Sequence, residues 1–145
     1  MNLDELMKRA AEDALSSAEV DAVCEEEQIN FTEFSERLAR HVATAYHERR
    51  LEWIAGDTAM NRLHGFASIR AGHEWLSDFA FSAFLAFDAG EYHPQTPNLS
   101  ADDVTRQLIG ALLDAPTGTP NKPLQPTRAA EPSGQRERSG RGPRG

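Results

Sequence analysis

The chain reads as all-α, a small bundle of four to five helices over residues 1–115 with a disordered C-terminal tail over residues 116–145. Three observations predict it. Apolar residues recur at helical spacing in four long stretches, and neither strand-type alternation nor an internal repeat occurs. Helix-capping and helix-stopping residues punctuate those stretches. Past Ala115 the composition changes: residues 116–145 hold six of the eight prolines, five of the ten glycines and one large apolar residue, Leu124. Such a segment buries too little surface to offset chain entropy.

A first helix is expected over residues 3–18. Asn2 suits its N-cap, and Asp4 and Glu5 suit the positive end of its dipole. Leu3, Met7, Ala10, Ala14 and Ala18 share one face, and Cys24 to Glu27 reads as a charged connection or a frayed helix end. A second helix is expected from Asn30 or Thr32 to Ile54. Phe31, Phe34, Leu38, Val42, Ala45, Tyr46 and Trp53 fall within an arc of roughly 120° at about 100° per residue. Arg49 and Glu52 fall in the same arc, and a guanidinium there requires a carboxylate or backbone carbonyls. Leu51 and Ile54 fall outside it, so a bend near residues 47–50 or a second neighbour is expected.

Gly56 breaks this pattern, and Asp57 is expected to cap a short helix reaching Leu63 or Phe66. Gly65 and Gly72 flank a joint before the next helix, over residues 71–89. Its apolar band of Trp75, Leu76, Phe79, Ala80, Ala83, Phe84 and Phe87 covers about half the circumference, as suits the central helix of a bundle. Gly90 is expected to end it in the left-handed conformation, and Pro94 and Pro97 prevent an immediate restart. In the last helix Ser100 and Asp103 resemble a capping box. Val104, Leu108, Ala111 and Leu112, widened by Leu113, form its stripe, and it stops before Pro116.

Charge divides at the same boundary as composition. Residues 1–115 hold 9 Lys/Arg against 21 Asp/Glu, a net charge of −12, and the tail holds 6 against 2, a net charge of +4. The acidic body repels phosphate backbones, so nucleic-acid binding by the folded part is not expected. An acidic face does suit a basic protein partner. Cys24 is the only cysteine, so an intrachain disulfide is impossible. The chain shows neither a signal-type N-terminus nor an apolar run of about 20 residues, so no membrane and a cytoplasmic location are expected.

Catalytic chemistry finds thin support. His41, His47, His64, His73 and His93 are scattered, without an HExxH element. Metal candidates are His64, His73, Glu74 and Asp78, the last two at i, i+4; Asp57, Asn61 and His64 also share a helical face. The competing account is a set of solvated side chains. Three glutamates follow Cys24 and disfavour its thiolate, the serines lack a nucleophile elbow, and a Gly-rich phosphate loop is absent. No cofactor is expected.

A contact surface is the better lead. Phe81 and Leu85 fall beside Glu74, Asp78 and Asp88, on what should be the polar side of the aromatic helix. They suggest a surface for a partner or a second copy, unless helices pack on both sides. Tyr92 and His93 enter a Pro-bounded loop that could present them to the same partner.

Asn121-Lys122-Pro123-Leu124-Gln125-Pro126-Thr127 resembles a peptide at the ends of proteins encoded by bacterial integron gene cassettes. The resemblance implies that the tail is translated recombination-site DNA and that the gene has a cassette origin. It covers none of the folded part. The closing Arg/Gly segment, residues 136–145, has no aromatic residue for stacking on RNA bases.

The expected function is that of a non-enzymatic acidic interaction protein of immunity or antitoxin type, binding a basic protein partner or forming a homodimer. The alternative is a small metal-dependent hydrolase built on a His/carboxylate cluster.

Overall fold

The computed structural model describes residues 1–70, 75–91 and 99–115. The tail, with its cassette-like segment, lies outside the described residues, as do His73, Glu74, Tyr92 and His93. The described chain is all-α: α1 (Leu3–Ala11), α2 (Ser17–Glu27), α3 (Phe31–His47), α4 (Trp53–Arg70), α5 (Asp78–Glu91) and α6 (Ala101–Asp114). The fold class is the expected one, and the described helices number six because the expected first helix stops at Ala11 and a separate helix, α2, runs on from Ser17 to Glu27.

Polar chemistry makes that corner. Asp13 adopts a left-handed conformation with φ 59° and ends the α1 path. Ser16 then opens α2 with a full capping box: its hydroxyl accepts from Glu19 N at 3.1 Å, and Glu19 Oε1 accepts from Ser16 N at 2.9 Å. Arg9 closes the turn by donating to the Ala14 carbonyl at 3.0 Å and to Glu19 at 2.9 Å. Leu15 and Val20 are buried in place of Ala14 and Ala18. Residues 24–27, expected as a charged connection or a frayed helix end, form the last turn of α2, and Gln28 ends it at φ 59°.

Helix α3 is capped by Asn30, which accepts from Glu33 N at 2.8 Å, and it ends at His47, seven residues before the expected Ile54. Arg49 adopts φ 64°, and Arg49 N and Arg50 N donate back to Tyr46 O and Ala45 O. The turn carries Arg49 out of the apolar arc onto the exposed surface, so no buried guanidinium arises there.

Helix α4 starts at Trp53 and runs through both Gly56 and Gly65, so Asp57 lies inside a helix and does not cap one. Gly56 is needed because a Cβ there would stand 2.6 Å from the Phe87 ring. Helix α5 starts late, at Asp78, where the Ser77 hydroxyl accepts from Ala80 N at 3.0 Å. Trp75 therefore precedes the helix and does not join its buried face. Gly90 does not end the helix; it lies in the last turn and lets α6 approach closely.

The core draws on Phe31, Phe34, Leu38, Val42 and Tyr46 of α3, Met60, Leu63 and Phe66 of α4, and Phe79 and Phe87 of α5. The central helix is α3, which packs against the other five, whereas α5 packs against α3, α4 and α6. No helix among the described residues is long and apolar enough to cross a membrane.

The docking of α6 departs most from expectation. Its Ser100–Asp103 capping box is present, with bonds of 3.1 Å in both directions. Its buried face is only in part the expected stripe: Leu112 and Leu113 pack against the core, but Leu108 is 45% exposed and Ala111 is exposed, while Thr105 and Ile109 are fully buried. Polar groups set this face. The Tyr46 hydroxyl donates to Asp102 Oδ1 at 2.5 Å, and Arg106 lies over the Tyr46 ring at 4.2 Å while donating to the Tyr46 carbonyl at 2.9 Å. Burial, and then the Asp102 carboxylate, push the Tyr46 phenol above its ordinary range. Trp53 Nε1 donates to Thr105 Oγ1 at 2.8 Å, and Thr105 donates to the Ala86 carbonyl at 2.9 Å.

Candidate functional site

Helix α5 buries one side and leaves the other to solvent. Phe79, Ala80, Ala83, Ala86, Phe87 and Gly90 are buried against α3, α4 and α6. Asp78, Phe81, Leu85 and Asp88 fall within about 80° on the opposite side at about 100° per residue. Phe81 is 37% and Leu85 42% exposed, and Trp75, just before the helix, is 44% exposed. Among the described residues no helix covers this side of α5, and Phe81 and Leu85 stand exposed with a carboxylate at each end of their row.

The exposed rings are braced from beneath. The His64 ring, on α4, stacks on Phe84 at 4.3 Å with planes 10° apart and meets the edge of Trp75 at 5.5 Å. Phe84 lies 6.3 Å from Phe81, and Phe81 lies 6.4 Å from Trp75. The backbone of residues 75–77 is tied to α3: Thr32 Oγ1 donates to the Trp75 carbonyl at 2.8 Å, and Ser77 N donates to Ser35 Oγ at 2.9 Å.

Electrostatics reinforces the negative frame. Asp57, half-buried on α4, has its carboxyl pushed up to about 6, first by burial and then by the neighbouring Glu91 and Asp88 charges, with an Asn61 hydrogen bond opposing the rise. Eight of the nine Lys/Arg among the described residues are held in ion pairs, Arg62 with Asp13 and Arg70 with Asp21 among them; Arg49 is the exception. The surplus carboxylates are therefore uncompensated by cations of the described chain.

The metal candidates do not gather into a cluster among the described residues. His64 packs on aromatic rings, and Asp78 heads α5. His41 sits 3.3 Å from Asp4, and His47 lies against Gly110 on α6. No three His, Cys, Asp or Glu side chains converge among the described residues. An open groove of about 470 Å³ lies between α1 and α2, floored by Leu6 and Leu15 and rimmed by Glu5, Glu19 and Glu26, with Arg9 beside them. It offers no nucleophile and base in contact.

Sequence reasoning places Phe81 and Leu85 on this face but puts Trp75 in the core and does not single out the stack of His64 on Phe84. The readable signal for Trp75 was Ser77, three residues before Ala80, which marks a helix start after the indole. Comparison with family models, with curated proteins and with solved structures returned no match.

Proposed function

We propose that this domain is a non-enzymatic interaction protein that captures a basic protein partner in the cytoplasm, as immunity and antitoxin proteins do. The observation that carries the reading is the exposure of Phe81 and Leu85 between Asp78 and Asp88, with Trp75 exposed just before them, on a body of net charge −12. Apolar groups supply burial at the centre of a contact, and the surrounding charge speeds encounter and selects the partner's sign. A second copy is disfavoured as occupant because it carries the same negative charge.

The test compares the wild type with a Phe81→Asp/Leu85→Asp double variant. Both changes are at exposed positions, so the fold, checked by circular dichroism, should be retained. The expected result is a basic protein of the source host that binds the wild type in direct titration, weakens as salt rises, and binds the double variant at least tenfold more weakly, on the scale of roughly 1.4 kcal/mol per tenfold. Equal binding to both proteins would overturn the assignment of this face. A wild-type dimer that the double variant dissolves would replace the partner with a second copy.

A further inference from the structure

Four arginines of this chain lie over aromatic rings: Arg40 over Phe79 at 4.1 Å, Arg62 over Phe66 at 5.0 Å, Arg70 over Phe31 at 4.4 Å and Arg106 over Tyr46 at 4.2 Å. Each of these rings is nearly or fully buried, and each guanidinium closes the core where the ring meets water. The exposed pair of Trp75 and Phe81 differs. Among the described residues no cation lies over either ring. The two rings stand side by side, with centroids 6.4 Å and planes 54° apart, and both side chains are partly exposed. Asp78 stands one helical turn before Phe81, exposed and in no ion pair among the described residues.

We propose that the exposed Trp75–Phe81 ring pair is the seat of an arginine side chain of the partner, stacked on one of the rings. The inference rests on the reading of this face as the surface that binds a basic protein. The guanidinium is planar and weakly hydrated, stacks on an indole or phenyl face, and presents paired donors to a carboxylate, here Asp78. A lysine ammonium brings the same charge but lacks the plane and the donor fork. The ring pair is braced: the His64 ring stacks on Phe84 and meets the edge of Trp75, and Thr32 holds the Trp75 carbonyl, which lowers the ordering cost of binding. The charge surplus that brings a basic segment to the surface belongs to the whole body, whereas discrimination of arginine from lysine belongs to these three side chains.

The experiment uses the full chain and two fluorescein-labelled dodecapeptides, one alternating Arg with Ala and one alternating Lys with Ala, in fluorescence anisotropy titrations at low salt. The wild type should bind the Arg peptide about 5- to 30-fold more tightly, the range of a cation–π contact from exposed to desolvated. Phe81→Ser and Trp75→Leu should each lower that ratio towards 1, and Asp78→Asn should lower it in part. Phe81→Leu keeps the apolar bulk without the π-face and guards against a packing artefact; it too should lose the preference. A salt-sensitive affinity equal for both peptides, and unchanged in the variants, would overturn the arginine seat and leave the acidic-capture reading standing. Binding of neither peptide would overturn both.

Discussion

The same substitution should have opposite effects at two glycines. Gly65→Ala is expected to stabilise the domain by about 1 kcal/mol, the difference in helix propensity between the two residues. Gly90→Ala is expected to destabilise it by about 1–5 kcal/mol through overpacking and lost hydrogen bonds. Both glycines lie in helices, so the propensity gain is common to both. At Gly65 a Cβ would meet nothing within 4 Å. At Gly90 it would stand 2.4 Å from Thr105 Oγ1, 2.7 Å from the Ala101 carbonyl oxygen and 3.2 Å from Trp53 Nε1. The Ala101 carbonyl is backbone and cannot rotate away, so α6 must lift. Lifting breaks the relay from Trp53 through Thr105 to Ala86, whose bonds are 2.8 and 2.9 Å. An orphaned buried donor costs about 1–3 kcal/mol, and an overpacked contact costs about 1–3 kcal/mol. Subtracting the propensity gain of about 1 kcal/mol leaves the stated range. Urea denaturation followed by circular dichroism measures both variants, with equal slopes confirming a common unfolded reference. A Gly90→Ala protein as stable as the wild type would refute the described α5–α6 approach. A loss at Gly65 would refute the open space around it.

Two further predictions concern single polar groups. Asp57→Asn should raise stability at pH 7 by about 1–2 kcal/mol, allowing for solvent screening of a half-buried group. The folded-state value of about 6 lies above the ordinary carboxyl value, so the Asp57 contribution is complete below about pH 4 and is lost as pH rises through about 6. Thermal melts from pH 4 to 7 should show the variant's advantage vanish at the acid end; an advantage independent of pH would exclude a raised Asp57. Thr105→Val should cost about 1–3 kcal/mol, because Trp53 Nε1 loses its acceptor, whereas Thr105→Ser should recover most of that. Guanidinium titrations of the three proteins check this, and equal midpoints for Val and Thr would exclude the relay.

Helix content was legible in the sequence because apolar periodicity is a local property. The capping box at Ser100 was readable for the same reason, and the one at Ser16 had an equally clear Ser-x-x-Glu spacing. There the apolar register of residues 3–18 pointed to one helix, while Asp13 and the Arg9–Glu19 pair make a corner. The face of α6 was legible only in Leu112 and Leu113. Thr105, Arg106 and Ile109 turn inward beside them with Asp102 at the edge, and the polar members are matched by groups on α3, α4 and α5 and by the Arg106–Asp102 pair. Phe81 and Leu85 stood out as apolar residues among carboxylates, a contrast visible in one dimension. The raised Asp57 and the stack of His64 on Phe84 depend on cross-helix neighbours and left no local trace.

The polar attachment of α6 also decides how the helix can be misplaced. A greasy stripe tolerates sliding by one turn, since hydrophobic contact has no direction. Hydrogen bonds do have direction. Shifting α6 by one turn would strand the Tyr46 hydroxyl, the Trp53 indole and the Arg106 guanidinium together. The joint is keyed like a lock and admits one register. The end of α6 at Asp114 is therefore held at a single, mechanically indexed point of the bundle.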